Sequence, residues 1–272
     1  SIAYFYKKNH PEQQVLVLDR GFFPIGASTR NAGFACFGSV TEHIADREIE
    51  GEVQIIGRIR RRIQGLKLLR RTLGDENIGY CEPGSFEIFT DNQTFEKAKE
   101  HRELCNAWLL EAAGLEKVYR VTEKNGFPAI SIEGEGCLHP GKMMRTLYER
   151  NLHLGVEFRW QTEVTAIDEE KGEVRLKNEI SLNARKLAIA TNSFTSTLWK
   201  EEHIQPGRGF VFVTQPIPDL RWKGTYHYDG GYYYFRNVDE HRLLLGGARS
   251  LDIDVETTTE FGVNENIKNH LI

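Results

Sequence analysis

The chain has 272 residues, of which 40% are hydrophobic and 27% are charged, and its formal net charge is −4. This composition is typical of a globular protein with one large or two ordinary domains. The weak net acidity argues against a dedicated nucleic-acid binder. No apolar run reaches the roughly 18 residues that a membrane-spanning helix needs, so a membrane protein is not expected.

The cysteines and histidines show none of the spacings that metal or redox centres use. The four cysteines, Cys36, Cys81, Cys105 and Cys137, contain no C-x-x-C pair, and the nine histidines contain no H-x-x-x-H pair. No metal site is therefore predicted. Four cysteines in a chain of this size are expected to be free thiols in a reducing cytoplasm.

The N-terminal region has the pattern of half a dinucleotide-binding unit. Residues 1–9 predict a helix, and the continuous apolar run 15–18 predicts a strand that is buried on both faces of a parallel sheet. Asp19 and Arg20 follow that strand directly. In a Rossmann unit a carboxylate at this place accepts bonds from the adenosine ribose, about 20 residues after a Gly-rich turn. That turn would precede Ser1.

An amphipathic helix follows the loop-like stretch 21–39. Apolar residues recur at helical spacing from Ile55 to Leu73. The opposite face carries six basic residues: Arg58, Arg60, Arg61, Arg62, Lys67 and Arg71. A solvated face is the ordinary meaning of such a run, and a phosphate- or RNA-binding face is the alternative.

The rest of the pattern mixes helices with short strands. Helices are predicted at 95–113 and 140–154, and a further one begins at 257. Strands are predicted at 85–90, within 118–132, at 156–158, 163–167, 173–176 and 187–190, and in the β-rich region from 210 onward. The run 187–190 is apolar throughout, which predicts a second buried strand.

The segment Gly26-Ala27-Ser28-Thr29-Arg30-Asn31-Ala32-Gly33 carries the most specific signal. Small residues allow a cofactor to approach the backbone, consecutive N–H groups form an anion-binding nest, and Ser28 and Thr29 add hydroxyl donors. The segment resembles the second flavin-contacting loop of the D-amino-acid oxidase superfamily, which includes glycine oxidase and sarcosine oxidase.

Three later stretches resemble the same family in order and spacing. They are residues 136–140 before a helix, residues 163–167 with Val164 beside adenine, and residues 187–192 ending at Ala190, Thr191 and Asn192. The resemblance implies FAD as cofactor. It assigns FAD contacts to Asp19, Arg20, Ser28, Thr29, Arg30, Asn31, Ala32, Gly33, Val164, Ala190, Thr191 and Asn192.

The implied fold is α/β, or α+β overall, with a Rossmann-like FAD-binding domain and an interleaved, mainly antiparallel β substrate domain. The predicted FAD-binding segments are 1–84 and 137–204, the substrate segments are 85–136 and 205–260, and residues 261–272 belong to the start of the truncated last helix. Two Gly-rich segments of the family are absent from this sequence, one before the first strand and one over the flavin. We therefore expect an internal piece of a longer enzyme that binds FAD weakly, is inactive and is poorly stable.

The substrate side is predicted from the strand-like run 231–236. Alternation places Tyr232, Tyr234 and Arg236 on one face, where two phenols and a guanidinium suit a small anionic amine. An aromatic surface packed under a helix is the alternative. Phe210 stands where the family's P-x-R-G-Q stretch has Gln, so the polar contacts of that side chain are not expected here.

The resemblance implies that a small amine or amino acid is oxidised by hydride transfer to flavin, which oxygen or another acceptor then reoxidises. Two other functions stay open: a flavoprotein of tRNA modification and a non-catalytic dinucleotide-binding protein. A cytoplasmic location is expected, and neither a membrane nor a nucleic acid is an expected partner.

Overall fold

The computed structural model describes residues 1–199 and 204–272. The helices are α1 (Ile2–Asn9), α2 (Val40–Glu50), α3 (Glu52–Leu73), α4 (Asp75–Ile78), α5 (Asn92–Ala113), α6 (Pro140–His153) and α7 (Glu265–Leu271). The strands are β1 (Leu16–Leu18), β2 (Phe34–Ala35), β3 (Ser85–Ile88), β4 (Tyr119–Lys124), β5 (Phe127–Ile132), β6 (Gly136–Cys137), β7 (Glu157–Arg159), β8 (Val164–Asp168), β9 (Glu173–Leu176), β10 (Ser181–Asn183), β11 (Val211–Val213), β12 (Thr225–Tyr228), β13 (Tyr233–Asn237) and β14 (Leu243–Gly247). Within the described residues, no helix is long and apolar enough to cross a membrane.

The chain divides into two compact units. The first contains residues 1–31, 140–208 and 254–262, and the second contains residues 32–139, 209–253 and 263–272. The sequence placed the first boundary at residue 84, whereas the units divide after residue 31, because α2 and α3 pack against α5 in the second unit. The functional role of each unit stays a prediction, and residues 200–203 of the predicted segment 137–204 lie outside the described residues.

The first unit contains a small parallel pair and a three-stranded meander. β1 pairs in parallel with β7, and β8, β9 and β10 form an antiparallel sheet. α1 packs against α6. The sequence predicted β1 as buried on both faces, but Leu16 is 44% exposed, and β7 is its one strand partner among the described residues.

The prediction of a buried strand at 187–190 was wrong. The structure assigns no strand to these residues, and the side chain of Leu187 is 49% exposed. A short apolar run becomes a strand only where a neighbouring backbone offers hydrogen-bond partners, and hydrophobicity alone does not reveal that partner. Ala190 is accordingly exposed.

The second unit is built on a seven-stranded sheet in the order β11-β14-β13-β12-β3-β5-β4. Every neighbouring pair is antiparallel except β12 and β3, which run parallel. The helices α2, α3 and α5 share a hydrophobic core with β4 and β5 that includes Ile55, Ile59, Trp108, Tyr119 and Ile130. This core supports the sheet at its β4–β5 end.

The helix α2 was not predicted, and α7 begins later than the predicted residue 257. Ser39 caps α2, because its side-chain oxygen accepts the backbone N–H of Glu42 at 3.4 Å. The spacing S-x-x-E at Ser39 and Glu42 is a capping-box signal that the sequence contains. Asn264 caps α7 by accepting the N–H groups of Asn266 and Ile267, which moves the start of that helix.

Candidate FAD and substrate site

The turn after β1 is shaped around Asp19. One carboxylate oxygen of Asp19 accepts the backbone N–H of Gly21 at 2.8 Å, so the side chain is fixed over the turn. A Cβ atom on Gly21 would lie 2.8 Å from the carbonyl oxygen of Phe23, and glycine is therefore required at this position. The carbonyl of Asp19 accepts the N–H of Thr162 at 2.9 Å, two residues before Val164, which begins β8.

The Gly-rich segment folds into a tight turn closed on Gly26. The backbone N–H groups of Thr29 and Arg30 both donate to the carbonyl of Gly26, at 3.1 and 3.2 Å. The Thr29 hydroxyl donates to the carbonyl of Pro24 at 2.6 Å, so this side chain shapes the loop itself. Ser28 and Arg30 remain exposed.

Asn31 also serves the loop. Its side-chain amide donates to the carbonyls of Ala27 and Ser28, at 2.9 and 3.2 Å. Direct FAD contacts by Asn31 and Ser28 stay predictions. Ser28 is exposed on the same loop.

Two arginines of the predicted FAD segments lie against one aromatic pair. The Arg20 guanidinium carbon is 4.1 Å from the centre of the Phe194 ring, and that of Arg30 is 5.7 Å from the Phe261 ring. The two rings are 6.2 Å apart. Cation–π contact therefore gathers the turn after β1, the Gly-rich segment and the stretch after Asn192 within the first unit.

The predicted contacts Thr191 and Asn192 stand at the start of a 3₁₀ helix, Asn192–Thr197. The Thr191 hydroxyl is 3.1 Å from that of Thr195. Asn192 is exposed and adopts a left-handed φ of 49°. The helix carries Phe194, so the segment that follows Ala190 contributes the ring beneath Arg20.

In the second unit, Arg236 holds the backbone around Gly33. Its guanidinium donates to the carbonyls of Ala32 at 2.6 Å, Asn237 at 3.1 Å and Leu138 at 3.4 Å, and the residue is only 8% exposed. The N–H of Leu138 donates in turn to the carbonyl of Gly33 at 2.8 Å. The sequence assigned the Arg236 fork to a substrate carboxylate, but backbone carbonyls occupy it here.

Two buried carboxylates hold the next residues of this loop. Glu135 accepts the N–H groups of Phe37 and Gly38, at 2.8 and 3.1 Å, with one oxygen. Its other oxygen accepts the Ser85 hydroxyl at 2.7 Å. Backbone donors near the start of α2 are thereby paired without water.

Glu87 on β3 holds the start of α2 in the same way. It accepts the N–H of Val40 at 3.1 Å and the hydroxyl of Thr41. Burial raises the pKa of the Glu87 carboxyl, although the Thr41 and Ser39 hydroxyls oppose that shift. Glu87 and Glu135 were missed by sequence reasoning, because their partners lie 46 to 98 residues away in the chain.

His227 occupies the sheet face beside these acids. It lies opposite Tyr234 across β12 and β13, and its ring is 5.3 Å from that of Phe34. Its Nε2 atom is 3.6 Å from a carboxylate oxygen of Glu135. Burial alone would lower the pKa of His227, but the charge of Glu135 raises it above its ordinary value.

The same place contains a candidate set of metal ligands. The ligand atoms of Cys36, Glu135 and His227 lie within 4.8 Å of one another. Burial raises the pKa of the Cys36 thiol far above its ordinary value, and Glu135 already accepts three hydrogen bonds.

The two predicted tyrosines have different surroundings. Tyr232 lies in the turn before β13 and is 56% exposed, so the alternation that would align it with Tyr234 does not apply. Tyr234 is half-buried, its ring is 5.8 Å from Phe34, and a Cβ atom on Gly246 would lie 2.7 Å from it. Tyr234, His227 and Phe34 therefore share one side of the sheet.

Comparison with known proteins gives this arrangement a family. The family model described as FAD dependent oxidoreductase (DAO) matches residues 1–272. The chain belongs to the DAO family of FAD-dependent oxidoreductases. FAD is the cofactor of the family, and the predicted resemblance and the predicted mixed α/β fold are both confirmed.

Solved structures of similar fold cover nearly all of the chain. Iminodiacetate oxidase from Chelativorans sp. BNC1 has a TM-score of 0.73 at 14% identity, covering 99% of this chain and 73% of its own. Glycine oxidase from Geobacillus kaustophilus has a TM-score of 0.69 at 16% identity, and the match covers 99% of this chain and 72% of that enzyme. L-proline dehydrogenase from P. horikoshii has a TM-score of 0.67 at 13% identity, and the match covers 99% of this chain and 71% of that enzyme. At these identities the likeness shows the fold, and no curated protein matches the sequence significantly.

The buried histidine gives a prediction for pH dependence. A histidine whose pKa is raised on folding stabilises the folded state at pH values below its ordinary pKa of 6.5. This stabilisation is lost as the pH rises through the pKa of the folded state. We therefore expect the replacement His227→Gln to flatten the fall of the thermal unfolding midpoint from pH 6.5 upward. Thermal melts of both proteins across that range measure the effect.

The control is His241→Gln, which changes an exposed histidine of the same unit. This variant should keep the pH dependence of the unchanged protein. Equal slopes for the unchanged protein and His227→Gln would contradict the assignment of a proton to the His227–Glu135 pair.

Proposed function

We propose that this protein oxidises the C–N bond of a small amine or amino acid by hydride transfer to FAD. The observation that carries the proposal is the cluster in which Arg20 and Arg30 flank the Phe194–Phe261 pair, beside the fixed carboxylate of Asp19. This cluster combines a hydroxyl acceptor and two cations in one unit of an FAD-dependent family.

The residues of this cluster fit the adenosine diphosphate half of FAD. The Asp19 carboxylate is held over its turn by Gly21 and would accept the ribose hydroxyls. The backbone of Val164 would contact adenine, since the nearby Thr162 is bonded to Asp19. Arg20 and Arg30 would pair with the diphosphate, because a guanidinium suits phosphate oxygens.

The Gly-rich loop fits the approach of a cofactor to the backbone. A Cβ atom on Gly26 would meet no atom within 4 Å, so the space beside this turn is open. The exposed Ser28 hydroxyl would donate to a phosphate oxygen. When bound, FAD supplies the two-electron acceptor of the reaction, and oxygen or another acceptor would reoxidise it.

The substrate class is inferred from the relatives. Iminodiacetate, glycine and L-proline, the compounds in the names of the three relatives, all carry an amine beside a carboxylate.

Arg236 acts in this proposal as a positioning residue. Its contacts with the carbonyls of Ala32 and Leu138 fix the loop that carries Phe34, and burial leaves the guanidinium little access to a substrate. Tyr234 shares one side of the sheet with His227 and Phe34, and this side is the proposed substrate face. The Tyr234 hydroxyl would donate there to the carboxylate of the amine.

Two of the six cations on the basic face of α3, Arg58 and Arg62, are paired with acids, so these two would add little to RNA binding. Arg58 forms ion pairs with Asp46 and Glu50, and Arg62 pairs with Glu42. Cations that are already neutralised by neighbouring carboxylates release few counterions on binding nucleic acid.

The reaction is tested by flavin absorbance without oxygen. The FAD-loaded protein, in its full-length form, is mixed with glycine, L-proline, iminodiacetate and a wider panel of amino acids, with lactate as the amine-free control. We expect at least one amine to bleach the visible flavin band and lactate to leave it unchanged. Bleaching by dithionite but by no amine of the panel would contradict the proposed function.

The cofactor assignment is tested by Asp19→Asn. Loss of the charge that accepts ribose hydroxyls should raise the Kd for FAD about tenfold, which corresponds to about 1.4 kcal/mol. Asp168→Asn is the matched control, since Asp168 is an acid of the same unit that is paired with Lys171. Fluorescence titration with FAD measures both, and equal affinities would remove Asp19 from the site.

A further inference from the structure

Cys81 and Cys137 face each other across an antiparallel bridge. The N–H of each residue donates to the carbonyl of the other, both at 2.9 Å. Their sulfur atoms are 3.4 Å apart. Directly opposed residues with this bonding have Cα atoms about 5.5 Å apart, which lies inside the range of about 4.4–6.8 Å that a disulfide spans.

The two thiols differ in access. Cys81 is exposed and Cys137 is buried, and burial raises the pKa of the Cys137 thiol to about 12. Cys105 is buried and Cys36 is partly covered. A small oxidant in solution therefore reaches Cys81 before the other three thiols, and oxidation follows exposure and thiolate character.

We propose that Cys81 and Cys137 form an oxidation site for hydrogen peroxide, which closes the pair into a disulfide. The Cys81 thiolate attacks one peroxide oxygen, the O–O bond breaks, and a sulfenic acid and hydroxide result; hydroxide takes up the thiol proton to give water. The Cys137 sulfur then attacks the Cys81 sulfur and displaces the hydroxyl as a second water. Two thiols lose two electrons and two protons, and one peroxide becomes two waters.

The disulfide would form beside Arg236, which holds the loop that carries Phe34. The sulfur of Cys137 is 3.9 Å from a terminal nitrogen of Arg236, and Cys137 is paired with Phe34 through β6 and β2. Closing the disulfide turns the Cys137 sulfur toward Cys81. The oxidation site thus adjoins the Arg236 contact with Ala32, and it stands whether or not the proposed amine oxidation is correct.

The test is mass spectrometry of the folded protein after treatment with hydrogen peroxide. Free thiols are blocked with iodoacetamide without reduction, and the digest is searched for linked peptides. We expect a peptide pair joined through Cys81 and Cys137, two hydrogens lighter than the separate peptides, with two of the four thiols lost. Dithiothreitol should restore both thiols.

Three variants make the result specific. Cys36→Ser with Cys105→Ser should keep the linked pair, whereas Cys81→Ser should abolish it and leave Cys137 open to alkylation after unfolding. Cys137→Ser should leave Cys81 as a sulfenic or sulfinic acid. A linked pair that forms only in urea, or oxidation of Cys81 in the unchanged folded protein with Cys137 still alkylated, would overturn the proposal.

Discussion

The structure of the second unit depends on two buried carboxylates that accept backbone N–H groups. A loop that enters the interior of a protein must find partners for its amides, because an unpaired buried donor costs about 1–3 kcal/mol. Glu135 provides them for Phe37 and Gly38, and Glu87 does so for Val40. The loop before α2 can therefore cross the face of the sheet without water.

The same constraint determines which residues face one another. Holding the loop against the sheet brings Phe34 beside His227, and Glu135 then raises the pKa of that histidine. Arg236 fixes the preceding carbonyl of Ala32 from β13. The substrate side that we propose is thus pre-organised by its backbone contacts, which is the arrangement a precise binding site requires. In the first unit, hydrogen bonds within the turn and cation–π contacts serve the corresponding purpose for the proposed FAD segments.

Local signals were sufficient for much of the fold. The helices α3, α5 and α6 follow from apolar spacing and end signals, and the Gly-rich segment after β1 was recognised by its resemblance to a flavin-contacting loop. Hydrophobicity failed at 187–190, since a strand also needs a neighbouring strand. The capping signal of Ser39 and Glu42 was present in the sequence, but α2 was not predicted from it.

The buried polar groups could not be predicted from the sequence. His227 meets Glu135 and Tyr234 only through the register of β12 with its neighbours, and register joins residues that are distant in the chain. Arg236 shows the same limit. Its position on a strand was predicted, whereas its carbonyl partners at Ala32 and Leu138 come from other segments.

The most direct test of this account is backbone hydrogen–deuterium exchange with and without FAD. We expect amides of residues 26–33 to become protected when FAD binds, because they form the proposed cofactor loop. The amides of Phe37, Gly38 and Val40 should exchange slowly in both states, since Glu135 and Glu87 hold them before any cofactor arrives. Unchanged exchange at 26–33 on FAD binding, or rapid exchange at those three amides without FAD, would contradict the account.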